Sequence, residues 1–363
     1  MALEAALARE ASLQSGPWLR SQRWDLTFII LSISLVAVPL IMFYQLGVPV
    51  LYVNLLVALV VGGPHMYSTY TVSFLEPNFR RKYPLYAGIA FLIPIAVIYL
   101  AVANLTLLLT VFFFWASVHV LHQISFFVDC YREKGGHPEP LWSRLVDYGV
   151  VFTCLYPIAM YKLVRGEFIV ENRPMLIPEI FRTDLLVWLA GLAFGVAITL
   201  FIARTVKEVK ERRVNIPKTL LISLTAIVSF FVPAIENIEV AFQGMNTWHS
   251  FQYLALIWYM NALRKQRGQI GNNLVNRISG EGRSRYFYLF NMGVTVAAGA
   301  LIGAIALLTG AFGDSGALRL EQVYYIVVLS SLLVHYYIDH FLFTRVDSIV
   351  KPGAEQSPAL ATG

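Results

Sequence analysis

The sequence predicts an all-α, polytopic integral membrane helical bundle of about ten transmembrane helices, on three observations: composition, the length of the apolar runs and the placement of basic residues. Across 363 residues, 57% are apolar and 14% charged, whereas soluble domains carry about a quarter charged residues. A water-soluble fold has no means of burying that much apolar surface. The runs extend from residue 26 to residue 344 without a long polar block, which implies a single membrane domain at 26–345.

A bilayer core about 30 Å thick needs roughly 20 apolar residues at 1.5 Å rise each. Stretches that meet or approach this lie at about 26–46, 49–74, 85–103, 105–129, 146–165, 183–205, 218–235, 247–263, 287–309 and 322–344. They read as helices because backbone polar groups in lipid must be satisfied within the segment or in a closed barrel. The runs are too long and too continuously apolar for barrel strands.

Orientation follows from Lys and Arg. With the N-terminus inside, the inner segments carry 23 basic residues and the outer loops 5, so the positive-inside rule places both termini in the cytoplasm of a multi-pass protein of the cell (inner) membrane. The net charge of +6 needs no nucleic-acid partner, because anionic membrane lipids account for Arg80, Arg81, Lys82, Arg212 and Arg213.

Residues 1–25 contain Arg9, Glu4, Glu10 and Arg20 and no continuous apolar core. They read as a cytoplasmic or interfacial segment anchored by Trp18 and Trp24, not as a cleavable signal. Residues 346–363 read as a disordered tail, rich in Pro, Ala and Gly from 350 onward. Between Arg204 and Lys218, Lys207, Glu208, Lys210 and Glu211 allow pairs three or four apart and predict a helix continuing past the membrane. The cysteines, Cys130 and Cys154, have no paired spacing and argue against a disulfide framework or thiolate metal site.

Histidine is the informative residue. His65, His119, His122, His249, His335 and His340 lie inside predicted spans, and only His137 falls in a loop. Ionisable residues within a membrane are costly and face the bundle interior, a cavity or one another. Six in one chain point to a shared metal or cofactor site. His335, His122 and His249 precede Arg345, Arg132 and Arg264 by ten to fifteen residues, which puts them about 15–22 Å from the cytoplasmic ends, in one layer. His65 follows Gly62, Gly63 and Pro64, where a proline kink re-aims the next side chain.

His119 and His122, three apart, share a face and suit one metal or two adjacent ones. Asp339 shares a face with His335 and is a candidate ligand or orienting carboxylate. His340 is rotated by about 140° and needs either another partner or a local distortion. Asp129 reads as solvated near its helix end. Glu236, Asn237 and Glu239 read as an outer loop, with carboxylate ligation open if that segment folds inward.

The windows Gly-Gly-Pro-His at 62–65, Val-His-Val-Leu-His-Gln at 118–123, Trp-His-Ser-Phe-Gln-Tyr-Leu-Ala-Leu-Ile-Trp at 248–258 and Val-His-Tyr-Tyr-Ile-Asp-His-Phe-Leu-Phe at 334–343 resemble, in order, those of the Brp/Blh-type β-carotene dioxygenases. The resemblance covers four short windows. It implies a membrane fold in which histidines from separate helices hold non-haem iron, His65, His119 and His249 matching ligands and His335 a further conserved histidine. The family has a second histidine where this chain has Tyr253, and His122 and His340 have no counterparts. That departure implies a rearranged or enlarged site, one or two iron ions, with Tyr253 near the metal or substrate.

The expected function is a membrane non-haem iron oxygenase or related oxidoreductase using O₂ on a carotenoid-, isoprenoid- or lipid-like hydrophobic substrate, with an electron-donor protein as a further partner. Aromatics around these windows, Phe112, Phe113, Phe114, Trp248 and Tyr336 among them, suit a hydrophobic tunnel, although aromatics also simply pack helices. Two other classes stay open: a haem or copper electron-transfer protein using the same histidines, and a transporter or proton channel with a histidine relay. Paired HxxHH boxes are absent, which argues against the classical membrane desaturases and hydroxylases.

Overall fold

The computed structural model describes residues 16–135, 138–170, 173–311, 313 and 318–350. Among the described residues, eight helices are long and apolar enough to cross a membrane: α1 (Gln22–Gln45), α2 (Val50–Thr71), α3 (Pro84–Ala103), α4 (Leu105–Lys134), α7 (Asp184–Lys210), α8 (Ile216–Ala234), α10 (Ser284–Leu308) and α11 (Leu320–Leu342). Two further passes complete the predicted order. One is split into α5 (Leu141–Thr153) and α6 (Tyr156–Val164), because Pro157 has no N–H to continue the ladder. The other, α9 (Ile238–Gln266), has 29 residues, about 43 Å at helical rise, but its centre carries Asn246, Thr247, His249, Ser250 and Gln252. A short antiparallel hairpin, β1 (Ile169–Val170) with β2 (Arg173–Pro174), follows α6.

The chain is therefore a predominantly helical, multi-pass membrane protein. Polar residues in α9 are tolerated because the helix is buried on nearly every side, from Gly244 and Trp248 round to Leu256 and Asn261. It packs against α1, α2 and α10. Glycine sets the first of these approaches: a Cβ at Gly244 would come within 2.8 Å of the Val36 carbonyl oxygen. Gly63 plays the same part between α2 and α10, where a Cβ would meet the Thr295 side chain at 2.2 Å.

At the end carrying most basic residues, α4, α5, α7 and α8 are tied by buried charges. Asp147 takes Arg204 at 2.5 Å, Arg132 at 3.0 Å and Lys218 at 3.1 Å. Glu139 joins Arg132 at 3.2 Å and also binds Lys218. Asp129, expected to be simply solvated, instead pairs with Arg132 and accepts a hydrogen bond from Tyr148 at 2.6 Å. Periodicity along one helix cannot reveal such a partner on the next. Burial raises the Glu139 pKa, but the hydrogen bond and charge of Lys218, aided by Arg132, win and hold it below the usual carboxylate range.

Residues 16–21 fold back on the bundle: Asp25 accepts the backbone N–H of Leu19 at 2.6 Å and of Arg20 at 3.1 Å, and the Arg20 guanidinium lies 4.8 Å from the Trp258 ring centre. The helix of α7 runs on to Lys210, with Arg204–Glu208 at 3.2 Å. A short helix, Asp347–Val350, lies within the segment expected as tail and packs on α4 and α9, with Ile349 buried. Residues 1–15, His137 and 351–363 lie outside the described residues. Cys130 and Cys154 are buried and unbridged.

Candidate metal centre

Four helices, the second, fourth, eighth and tenth passes, bring one histidine each to a common point. In α2 the path is bent by Pro64. A π-turn over Ala58–Gly62 precedes it, and the Val60 carbonyl, four residues before the proline, accepts the Tyr288 hydroxyl at 2.8 Å. Proline offers that carbonyl no N–H, so an outside donor takes its place. His65 then turns back to its own helix, its Nδ1 lying 2.6 Å from the Gly62 carbonyl. A carbonyl only accepts, so Nδ1 carries the proton and Nε2 is left with a free lone pair aimed into the bundle.

The imidazoles form a closed ring. Successive centroid separations are 4.6 Å for His65–His335, 5.0 Å for His335–His119, 4.8 Å for His119–His249 and 5.1 Å for His249–His65, each pair tilted by 69° to 88°. Between neighbours, His65 Nε2 faces His335 Nε2 at 3.0 Å and His119 Nε2 faces His249 Nε2 at 3.1 Å. All four side chains are at most 3% exposed. Tyr336 stacks on His119, centroids 4.0 Å apart.

A carboxylate completes the set. Asp339, fully buried, accepts the Tyr253 hydroxyl at 2.5 Å and the Thr69 hydroxyl at 3.2 Å, both on Oδ1. With the Thr69 hydrogen used there, its oxygen accepts from His335 Nδ1 at 2.5 Å, which again leaves Nε2 as the free donor atom. Asp339 Oδ2 has no hydrogen-bond partner among the described residues and lies 3.5 Å from His335 Nδ1 and 3.8 Å from His119 Nε2.

These residues fit a cation. Two imidazole lone pairs at 3.0 Å repel unless a positive centre sits between them, and a buried carboxylate oxygen with no donor is costly. Ligand atoms of His65, His249 and His335 lie within 4.8 Å of one another, as do those of His119, His335 and Asp339. That spread is within reach of bonds of about 2.0–2.2 Å from a central ion after small side-chain shifts.

Comparison with protein-family models, with curated proteins and with solved structures gives no match. The reading of this centre therefore rests on its own geometry.

Of the residues singled out in the sequence, His65, His119, His249, His335, Asp339 and Tyr253 come together. His122 and His340 do not join them. They pair with each other, centroids 5.2 Å apart, His340 exposed and His122 half-buried. The rotation of His340 away from His335 is thus met by a different partner and not by a distorted helix. Glu236 is exposed at the turn before α9, where Asn237 caps the helix through the N–H groups of Glu239 and Val240. Glu239 is ten residues from His249, about 15 Å along the helix.

Thr69 and Ser250 were not apparent in the sequence. Ser250 places its hydroxyl 2.9 Å from His65 Nδ1, and Thr69 joins three polar partners. Their one available signal is spacing, Thr69 lying four residues after His65 and therefore on its face. Gln123 and Gln252, also missed, bond to each other at 2.7 Å, and Gln252 reaches the Ile29 carbonyl in α1 at 2.7 Å.

An apolar cavity leads away from His249. It is open on one side and runs between α4, α6, α9 and the α8–α9 turn, past Phe113, Met160, Phe168, Phe242 and Tyr336. No residue of α6 is fully buried, and α7 packs against it. Ser117 and Tyr156, 3.2 Å apart through their hydroxyls, are among the few polar groups along it.

Proposed function

We propose that the protein is a membrane-embedded non-haem iron oxygenase, or a related oxidoreductase, acting on a lipophilic substrate of isoprenoid, carotenoid or lipid type. The observation that carries this reading is the clustering of four imidazoles and one carboxylate, as two ligand triads that share His335, beside an apolar cavity lined by His249. Imidazole and carboxylate donors suit Fe(II), with zinc, copper and nickel as competitors for the same donor set. His65, His119, His249, His335 and Asp339 would hold the ion. Iron bound there would supply dioxygen activation and the oxidising power for attack on an unactivated hydrocarbon.

The chain's own residues supply the remainder. Gly62 fixes the His65 tautomer and Thr69 that of His335, so both present Nε2 inward. Tyr253 and Thr69 hold Asp339 by Oδ1 and leave Oδ2 turned toward the histidines. The cavity takes an apolar chain and excludes water along its length, as ligand sites in membrane bundles do. Haem fits poorly, because the ring of imidazoles has no open plane between its members for a porphyrin. By the charge asymmetry of its loops, the protein lies in the cell membrane with both termini in the cytoplasm.

The test is metal analysis and an absorption spectrum of the purified full-length protein. About one iron per chain without a Soret band supports the reading. A Soret band returns it to haem, and copper in place of iron to electron transfer. Protein that binds no metal at all returns the histidines to a proton relay.

A further inference from the structure

The four central imidazoles are almost wholly enclosed, so an ion must reach them through the protein. Outside this cluster stand two further histidines, His122, half-buried, and His340, exposed. His122 lies on α4 one turn beyond His119, and His340 on α11 lies beyond His335, both toward the end bearing the basic residues. Arg345, which stacks on Phe341 at 4.2 Å and on Tyr83 at 4.9 Å, is five residues past His340, fewer than two turns away.

Two imidazoles on one tetrahedral ion, with bonds of about 2.0–2.1 Å, hold their ring centroids about 5 Å apart. His122 and His340 stand at 5.2 Å, close to the 4.6 to 5.1 Å of the central ring. Phe343 lies against both sets, its centroid 5.2 Å from His122 and 5.9 Å from His119. It is the first residue past the end of α11 and its buried ring lies between the two sets.

We propose that His122 and His340 form a second divalent-cation site, accessible at the protein surface, from which an ion passes Phe343 to the buried histidines. This extends the metal-centre reading and depends on it for the destination, although the surface pair binds an ion whether or not that reading holds. Two imidazoles leave the remaining coordination positions to water, so the ion is held loosely and exchanges readily. Four imidazoles and a carboxylate hold it more tightly, which sets the direction of transfer. Each step exchanges water for protein ligands at an unchanged oxidation state.

The test uses full-length, metal-free protein in lipid nanodiscs with Co(II) as the probe, its visible d–d bands followed by stopped flow. Wild type should take up a weak, fast equivalent and a tight, slower one. The double variant His122→Ala with His340→Ala should lose the weak equivalent and fill the tight site about tenfold or more slowly, to the same final stoichiometry. Wild-type binding in that variant removes the surface site, and wild-type filling after loss of the weak equivalent removes it from the route. Either result overturns the proposal. A second variant, His119→Ala with His249→Ala, separates the two readings: it should keep only the weak equivalent, and if it keeps both, the buried centre is misassigned while the surface site stands.

Discussion

His65 Nε2 and His335 Nε2 face each other across 3.0 Å although their residues lie 270 positions apart. Each ring is held from behind, the one by the Gly62 carbonyl and the other by Thr69, so neither turns its protonated nitrogen inward without losing a buried hydrogen bond. Opposed lone pairs held in this way are matched by a cation. His119 Nε2 and His249 Nε2 face each other at 3.1 Å in the same cluster, but His249 Nδ1 has no hydrogen-bond partner among the described residues, so that imidazole is not held from behind.

Replacing His119 or His249 by Ala should therefore remove most bound metal while leaving an inserted, folded protein. Elemental analysis of the purified variants, beside their thermal melts, reads both. Wild-type metal content in either variant excludes that residue from the centre.

Asp339→Asn keeps the shape of the side chain but removes its charge. Metal affinity or activity should fall by about 10 to 100-fold, the range for residues that support a metal site. Competition with a chelator measures the affinity, and an unchanged constant would leave Asp339 with a packing role only.

Tyr253→Phe removes the hydroxyl that Asp339 Oδ1 accepts, while Thr69 remains to hold that oxygen. Turnover should drop by more than the melting temperature would suggest. An equal loss in both would make Tyr253 a structural strut.

Ala159→Trp fills the cavity beside α6 without touching the histidines. Binding of a long apolar ligand should weaken while metal content stays at the wild-type level. Unimpaired ligand binding would mean that the cavity is not the substrate's route.

Acid stability should depend on Glu139, whose carboxyl is held below its ordinary range in the folded state. A depressed folded pKa contributes stability that is complete above the unfolded value, about 4.3, and is lost as pH falls through the folded value. Thermal melts should accordingly decline below about pH 4.3, and Glu139→Gln should flatten that decline.

The passes were legible because lipid imposes a length and a polarity that any window of sequence displays. The boundary at Thr153–Tyr156 was not, since Pro157 breaks a run whose hydropathy continues through it. Four site histidines and Asp339 were legible because a titratable group inside an apolar span needs a reason. Thr69 and Ser250 carry no such mark: a hydroxyl in a membrane helix can bond to its own backbone, and only the fold shows Thr69 reaching Asp339 and His335. The separation of His122 from His119 was hidden as well. Three residues on one helix place both on one broad face, and the neighbouring helix decides which of them turns inward.

Because its ligands come from the second, fourth, eighth and tenth passes, the centre has no complete precursor during synthesis. A ribosome that has delivered nine passes has supplied three histidines and neither His335 nor Asp339. An ion that bridges all four helices therefore arrives after insertion is finished and links the first half of the polypeptide to the last. A metal held there would double as a late assembly checkpoint, separating completed chains from truncated ones.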